Sequence, residues 1–391
     1  MRPLAEIIIA ALLYLIGGFL IYFAKLPAIL LLGYCFAFAL FGVFRWRGAA
    51  QNLCLTLASF FAIICLLETA ALVAEPKSET TKRDISDAKR SLDGRQTILG
   101  WRPAREGRYR AVKTLNGRVV YDVIYTIDNN LLRKTHAASS GAGIAFLGDS
   151  YVFGEGLNDA QTLPQQFADL EGRAYPIYNL GFSAYNVSQA LIEMQTGMFD
   201  GLLNRSRLLV EFIAPWQAER TSCKASFVTG APRYVDRDGK IELQGVCHPA
   251  VSPWTYFAAY RVFVAPRLSI VRDSDIDIFV DVARATVQLA REKYKKPILV
   301  YYLRNPGYLK RLETWNDDKI VKALESAGAT VLDYGIDNEY GDPRYEITGD
   351  GHPTGLANKI RAERLFTFLK KNFPDIEPQN MERLTPETAR Q

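Results

Sequence analysis

The first 75 residues of the chain are so apolar that few folds can accommodate them. Three stretches, 4–24, 27–44 and 52–74, are each close to the ~20 residues that a helix needs to cross ~30 Å of hydrocarbon. Because lipid offers the backbone no hydrogen-bond partner, a chain that crosses it is confined to helices or closed barrels. We therefore predict three transmembrane helices within residues 1–75. A cleavable signal peptide is the alternative for the first stretch, although its apolar core is longer than the ~7–15 residues usual there.

Basic residues in the short loops predict the orientation of these helices. Arg2 precedes the first stretch and Arg45 and Arg47 follow the second, whereas the loop between those two stretches contains only Lys25. Short loops rich in Lys and Arg stay on the cytoplasmic side. We therefore expect a multi-pass protein of the cytoplasmic (inner) membrane with its N-terminus inside. The chain beyond residue 75 is then extracytoplasmic, which in a bacterium means periplasmic, and the lipid bilayer is a partner.

Glu68 is the only acidic residue in the third stretch. An ionisable group within a membrane is a functional candidate by default. Because Glu68 lies only about two helical turns from Glu75, we expect it instead to be hydrated near the interface.

The five cysteines divide between the two parts of the chain. Cys35, Cys54 and Cys65 lie within the apolar stretches, which leaves Cys223 and Cys247 in the remainder. An oxidising compartment favours pairing these two. A disulfide needs Cα atoms within ~7 Å, which sequence cannot test, so both the disulfide and two unlinked thiols stay open.

Charge argues against one class of partner. The net charge is only +5, with no long block of like charge and no recognisable nucleic-acid motif. A nucleic-acid partner is therefore not expected.

Composition divides the chain beyond the membrane segment. Residues 76–108 are polar and predict a juxtamembrane linker. Residues 109–138 contain a run rich in β-branched and aromatic side chains, which predicts a small β-rich extension with one or two strands at about 109–128. The main domain is expected at 139–375, followed by a flexible tail at 376–391.

Within 139–375, short apolar runs alternate with helical patterns. That alternation predicts a flavodoxin-like, three-layer α/β/α domain with a five-stranded parallel sheet. The strands are expected at 143–148, 175–180, 207–214, 297–303 and 329–334. The helices are expected near 161–171, 187–200, 274–294, 316–327 and 354–372. Between about 216 and 262 the pattern breaks into aromatic residues, Gly and Pro, which we interpret as a lid or substrate-facing insertion.

The first predicted strand ends in Gly148-Asp149-Ser150. Gly148 permits a sharp turn there. Because ligands of open α/β sheets bind beyond the carboxyl ends of the strands, Ser150 is a candidate nucleophile.

A second motif, Asp350-Gly351-His352, stands directly before an amphipathic helix. A serine hydroxyl needs a base to take its proton, and the base works better when a carboxylate fixes its tautomer. His352 and Asp350 supply both roles from one loop, in a chain with only three histidines. His248 remains a rival base, because the fold could bring a carboxylate to it.

Other chemistries are weakly indicated. A metal or thiol site at Cys247 and His248 lacks the three or four ligands that metals need, so no metal and no other cofactor is expected. Gly154-Glu155-Gly156 lacks the third glycine and the acidic residue of a dinucleotide-binding fingerprint.

The two motifs resemble blocks I and V of the SGNH (GDSL-type) hydrolase superfamily, over about residues 143–372. The resemblance implies a catalytic triad of Ser150, His352 and Asp350. It also implies that the backbone N–H groups of Ser150 and Gly181 bind the oxyanion, since Tyr178-Asn179-Leu180-Gly181-Phe182 is similar to block II.

Two departures from the family pattern matter. Block III and its asparagine donor are absent, because the third strand leads into Ile213-Ala214-Pro215-Trp216-Gln217; Gln217 or Asn186 is the candidate replacement. The single residue between Asp350 and His352 is a spacing also found among family members that act as O-acyltransferases on envelope polysaccharides.

The expected function is therefore a membrane-anchored, extracytoplasmic serine esterase acting on O-acyl esters of envelope glycans or lipids. One alternative is an O-acyltransferase that works with an integral-membrane partner. Another is a catalytically weak glycan-binding or scaffold protein of the same fold.

Overall fold

The computed structural model describes residues 2–76, 80–85, 94–96, 98–250, 252–268 and 271–374. The predicted flexible tail, 376–391, lies outside them. Contacts divide the chain into two compact units. The first combines the N-terminal helices with residues 251–269, and the second contains the rest of the chain.

Three helices form most of the first unit: α1 (Arg2–Phe23), α2 (Ala28–Arg45) and α3 (Ala49–Ala74). Among the described residues, α2 and α3 are long and apolar enough to cross a membrane. Within α1, Leu12–Phe23 forms a shorter apolar stretch. Two apolar helices thus fit a membrane anchor. The third span and the orientation stay predictions.

The second unit begins with the β-rich extension. Its strands are β1 (Thr81–Ile85), β2 (Gly94–Gln96), β3 (Gly100–Arg102), β4 (Gly107–Leu115) and β5 (Arg118–Ile127). Strands β1, β4 and β5 form an antiparallel sheet with β4 in the centre, so the strands expected at about 109–128 are present. Strands β1, β2 and β3 fall within the predicted linker. The side chains of β1 are mostly exposed, and an edge strand of that kind shows no apolar period in the sequence.

The α/β domain follows. In chain order its elements are β6 (Gly143–Leu147), α4 (Ser150–Phe153), α5 (Leu163–Leu170), β7 (Ile177–Asn179), α6 (Val187–Thr196), α7 (Asp200–Leu203), β8 (Ser206–Ile213), α8 (Gln217–Thr221), β9 (Pro232–Arg237), β10 (Lys240–Val246), α9 (Asp273–Glu292), β11 (Ile298–Tyr302), α10 (Pro306–Leu309), α11 (Asp317–Ser326), β12 (Thr330–Asp333) and α12 (Gly355–Asn372).

The predicted five-stranded parallel sheet is confirmed, with spatial order β12-β11-β8-β6-β7. Numbered along the chain and taken from the β7 edge, this is the 2-1-3-4-5 order of flavodoxin-like folds. The direction of winding reverses between β6 and β8. A crevice at such a switch point, beyond the carboxyl ends of the strands, is where ligands of these folds bind.

Apolar side chains cover both faces of the sheet. Phe146, Phe167 and Leu365 belong to the core under α5 and α12. Phe279 and Val300 belong to the core on the other face, under α6, α9 and α11. The predicted apolar stripe of α9 is buried there because its members recur every three or four residues.

The insertion predicted at 216–262 contains α8, the β9–β10 hairpin and the Cys223–Cys247 disulfide. The Cα atoms of the two cysteines are 5.1 Å apart, which decides the question that sequence left open. Residues 252–268 differ from the prediction, because they belong to the unit of the N-terminal helices.

The disulfide closes a loop with a sequence separation of 24 residues. Replacing both cysteines by alanine is expected to destabilise the full-length protein by about 3 kcal/mol, because the unfolded chain regains loop entropy. Chemical denaturation followed by circular dichroism measures the change. Dithiothreitol should lower the stability of the parent to a similar extent and leave the double variant unaffected; equal stability of parent and variant would contradict the prediction.

Candidate active site

Strand β6 carries the chain into the switch point and ends one turn before Ser150. Gly148 has φ 156°, and a Cβ there would lie 2.6 Å from Val152 Cγ2, so a side chain does not fit. Asp149 then caps the short helix α4 by accepting the Tyr151 N–H at 3.0 Å. The turn thus places Ser150 beyond the carboxyl end of β6, as predicted.

Asp149 is fully buried and is held by three donors, one from the residue before helix α8 and two from the helix itself. Its Oδ2 accepts from Trp216 Nε1 at 3.1 Å, from Gln217 Nε2 at 3.2 Å and from Arg220 Nη1 at 3.0 Å. A buried carboxylate needs such partners to remain charged. These contacts fix the backbone from which the Ser150 side chain projects.

The loop before α12 brings an imidazole to that serine. His352 Nε2 lies 2.8 Å from Ser150 Oγ, and His352 Nδ1 lies 2.5 Å from Asp350 Oδ2. Both distances suit a nucleophile, a base and an orienting carboxylate in hydrogen-bonded sequence. The structure therefore brings together three side chains separated by up to 202 residues.

Lys113, on strand β4 of the extension, contacts the other oxygen of Asp350. Its Nζ lies 2.5 Å from Asp350 Oδ1, and the two side chains are 16% and 1% exposed. Burial alone raises the pKa of Asp350, but the hydrogen bonds from His352 and Lys113 outweigh it and hold that pKa below its ordinary value. Asp350 is thus ionised at neutral pH. Sequence reasoning missed Lys113, because nothing in the pattern of β4 links it to a loop far along the chain.

A second carboxylate lies on the Ser150 side of the imidazole. Glu155 Oε2 is 3.9 Å from His352 Nε2 and accepts a hydrogen bond from Ser183 Oγ at 2.6 Å. Glu155 Oε1 pairs with Arg83 of strand β1 at 3.0 Å. The glutamate of the Gly154-Glu155-Gly156 motif therefore lies beside His352.

The two carboxylates set the basicity of the ring. Burial lowers the pKa of His352, whereas Glu155 and Asp350 raise it, and the outcome is a pKa above the ordinary value. Their negative charge favours the imidazolium that forms when His352 takes a proton.

Two predicted oxyanion donors are engaged elsewhere. The Gly181 N–H donates to Asn179 Oδ1 at 3.1 Å, because Asn179 turns back onto the chain that follows its own strand. Gln217 Nε2 donates to Asp149 Oδ2 and to Phe212 O, both at 3.2 Å. Gln217 therefore supports the turn before Ser150 in this structure. Gly181 still has a steric role, because a Cβ there would lie 2.6 Å from Val152 Cβ.

Asn186 remains the side-chain candidate with an unengaged donor. It caps helix α6 with Oδ1, which accepts from Ser188 N at 2.8 Å and from Thr221 Oγ1 at 3.1 Å. Its Nδ2 is buried and has no hydrogen-bond partner among the described residues.

The rival site does not form around His248. Its side chain is exposed, and the neighbouring Cys247 is in the disulfide and offers no thiolate. In the part of the chain that the structure describes, no three His, Cys, Asp or Glu side chains are grouped to hold a metal ion.

Comparison with known proteins found no matching family profile and no matching curated protein. Solved structures with a similar arrangement include the SGNH-hydrolase family esterase AlinE4 (15% identity, 62% of this chain and 100% of that chain, TM-score 0.34). They also include TesA (14%, 59% and 98%, 0.36) and the psychrotrophic esterase EstA from Pseudoalteromonas sp. (13%, 59% and 97%, 0.35). AlinE4 is described as a member of the superfamily that the sequence motifs resemble. Likenesses this distant carry no argument about activity, so the site is interpreted from its own geometry.

Proposed function

We propose that this protein is a membrane-anchored serine esterase of the SGNH type, acting outside the cytoplasmic membrane on O-acyl esters of envelope glycans or lipids. The observation that carries the proposal is the 2.8 Å contact between Ser150 Oγ and His352 Nε2, with Asp350 on the other ring nitrogen. A serine, an imidazole and a carboxylate in this order are recognised as a triad by geometry and roles, whatever the fold.

In the proposed mechanism, Ser150 Oγ attacks the ester carbonyl carbon while His352 Nε2 takes the hydroxyl proton. Asp350 accepts the Nδ1–H of His352, which leaves Nε2 free to act as the base and stabilises the imidazolium. The Ser150 N–H stabilises the oxyanion, and His352 returns the proton to the departing alcohol. Water then attacks the acyl-serine by the reverse sequence, releasing the acid and restoring Ser150.

A direct test uses the wild-type protein alone. Full-length protein in detergent should hydrolyse a short p-nitrophenyl ester, and a fluorophosphonate should abolish that hydrolysis while adding one phosphonyl group per chain. Peptide mass spectrometry should locate the group on Ser150. If Ser150 takes no label and no ester is turned over, the protein is a binding or scaffold protein and the proposal fails.

Acyl transfer to a glycan hydroxyl is the second candidate, favoured by the single residue between Asp350 and His352. In that case the acyl-serine waits for a sugar hydroxyl instead of water. Acid release would then be slow with the p-nitrophenyl ester alone, and an added polysaccharide would accelerate release of p-nitrophenol and appear as O-acylated product. Full turnover without any acceptor would exclude obligate transfer.

The proposal also predicts how pH changes activity. Only neutral His352 can accept a proton, and its pKa lies above the ordinary 6.5, so kcat/KM should rise with pH and reach half its maximum above pH 6.5. Lys113→Met removes a cation beside Asp350 and leaves more net negative charge near the ring, which favours imidazolium. We expect the acid limb to move upward by roughly 0.5–1 pH unit.

Two matched variants control this experiment. Lys113→Arg keeps the cation and should retain the parental profile. Arg110→Met removes one charge from the same strand, at an exposed side chain paired with Asp122, and should leave the profile unchanged. An acid limb in Lys113→Met that coincides with the parent would show that Lys113 does not influence His352.

A further inference from the structure

We propose that residues 252–268 form a re-entrant segment that dips into the lipid bilayer beside helix α3, and that Glu68 holds its buried end. The inference depends on the membrane anchor of the proposed function and not on its chemistry. It assigns the exposed apolar surface of this segment to contact with lipid.

Chain connectivity makes the segment unusual. It lies between strand β10 and helix α9, both of which belong to the α/β domain, yet it packs with the N-terminal helices as part of their unit. The chain therefore leaves the helix unit after α3 and returns to it for these residues before α9 begins.

Glu68 explains how the segment is held at depth. Its side chain is almost fully buried, and its two carboxylate oxygens accept the backbone N–H groups of Ala258 at 2.8 Å and Ala259 at 2.9 Å. These residues begin the short helical run that continues through Tyr260–Val264. The first N–H groups of a helix have no partner within it, and leaving them without a hydrogen-bond acceptor in hydrocarbon is strongly unfavourable. A carboxylate within a membrane-spanning helix is thus accounted for as an N-terminal cap supplied from a neighbouring element. The expectation that Glu68 is hydrated near the interface is wrong for this reason.

Position along α3 gives the depth. Glu68 precedes Glu75 by seven residues, which corresponds to ~10 Å along a helix axis at ~1.5 Å per residue. Arg261 pairs with both oxygens of Glu75, at 2.6 Å and 2.8 Å, just beyond the end of α3. The segment therefore spans the layer between the helix end and the level of Glu68.

Contacts at the other helices agree with this placement. Tyr256 OH donates to Leu26 O in the turn between α1 and α2, and its ring meets Tyr22 edge-on with centroids 5.3 Å apart. If α2 and α3 each cross the membrane, that turn and the end of α3 lie on the same side of it. The segment contacts both the turn and the end of α3, so it enters the bilayer from that side only.

The outward surface of the segment is suited to lipid. Four large apolar side chains are exposed, namely Trp254 (63%), Phe263 (40%), Val264 (43%) and Leu268 (52%). Tryptophan and arginine beside aliphatic residues are typical of the interfacial layer of a membrane, and this segment also carries Arg261 and Arg267. Helices α2 and α3 of the same unit also expose large apolar side chains, including Leu66 (71%) and Val73 (85%), which makes lipid the expected occupant.

Cysteine labelling tests the contact with lipid. The full-length protein is placed in lipid nanodiscs at one copy per disc, so that no protein partner can cover the segment. Phe263→Cys is compared with Leu243→Cys on the β9–β10 hairpin, whose native side chain is similarly exposed at 43%. With a membrane-impermeant maleimide, and after subtracting the labelling of the parent, we expect Phe263→Cys to react at least roughly tenfold more slowly. Equal rates in the two variants would overturn the proposal, and would leave a protein partner or a second copy as the occupant.

The role of Glu68 is tested in the same discs. Glu68→Leu removes the acceptor of the Ala258 and Ala259 N–H groups and should make Phe263→Cys reactive with the maleimide. Glu68→Gln keeps one carbonyl oxygen and should slow the maleimide reaction in part. Unchanged protection in Glu68→Leu would contradict the capping role.

Tryptophan quenching does not depend on those variants. Emission attributed to Trp254, taken as wild type minus Trp254→Phe, should be quenched when the discs contain brominated phospholipid, and unquenched emission would count against burial in lipid. Ester turnover in the same discs separates the two proposals. Ester turnover without protection of Phe263→Cys from the maleimide would contradict only the proposal of a re-entrant segment. Protection without ester turnover would contradict only the proposal of an esterase.

Discussion

Ser150→Ala is expected to lower kcat for ester hydrolysis by about 10⁶-fold. The loss is this large because Ser150 Oγ is the hydroxyl that lies 2.8 Å from His352 Nε2, and without a nucleophile the acyl-serine cannot form. Steady-state hydrolysis of a p-nitrophenyl ester measures the effect. The variant should also lose all labelling by a fluorophosphonate.

Ser206→Ala is the matched control for that experiment. Ser206 is a buried serine at the start of β8, whereas Ser150 follows the carboxyl end of the parallel neighbour β6, so the control lies at the opposite end of the sheet. Its hydroxyl donates a local hydrogen bond to Leu202 O at 3.0 Å. We expect unchanged kcat and KM. Retained turnover in Ser150→Ala, with an unfolding temperature equal to that of the parent, would show that Ser150 is not the nucleophile.

Asp350→Asn is expected to lower kcat by about 10⁴-fold while leaving KM nearly unchanged. The carboxylate accepts the Nδ1–H of His352, which keeps the Nε2 lone pair directed at Ser150. An asparagine can donate its own N–H to Nδ1, which moves the ring proton to Nε2 and removes the base. Lys113 would at the same time lose its charged partner.

Asp337→Asn provides the comparison within the same connection between β12 and α12. Asp337 is exposed, so its neutralisation changes the net charge by the same amount without touching the triad. We expect parental kinetics. A loss in Asp350→Asn that is no greater than that in Asp337→Asn would mean that the carboxylate does not orient His352. Nuclear magnetic resonance of the imidazole nitrogens can show the tautomer directly.

Much of the fold could be predicted from local sequence patterns. Strands β6 and β8 are apolar runs, and helix α9 has apolar residues at spacings of three and four. Each pattern lies within one short segment, so it depends only on residues that are close together along the chain. The proposed triad could also be predicted from the sequence, because Gly148-Asp149-Ser150 and Asp350-Gly351-His352 each place their polar side chains within a few residues. Parallel strands then brought the two motifs to one rim of the sheet.

Which group binds the oxyanion could not be predicted from the sequence. Gly181, Gln217 and Asn186 all have donors of the right kind, but a hydrogen bond is made or lost over fractions of an ångström. The Gly181 N–H donates a hydrogen bond to Asn179, and the Gln217 side-chain amide donates one to Asp149. Both contacts depend on the conformations of the loops.

The sequence by itself determined the apolar N-terminal stretches, the alternation of strands and helices, and the choice of Ser150, Asp350 and His352 as the side chains expected to meet. Only the tertiary structure decided that Lys113 meets Asp350 across 237 residues and that Glu68 caps Ala258 across 190. The physical reason is that periodicity and turn chemistry act between near neighbours in the chain. The partner of a buried charge is chosen by whichever distant group the packed fold brings within hydrogen-bond reach.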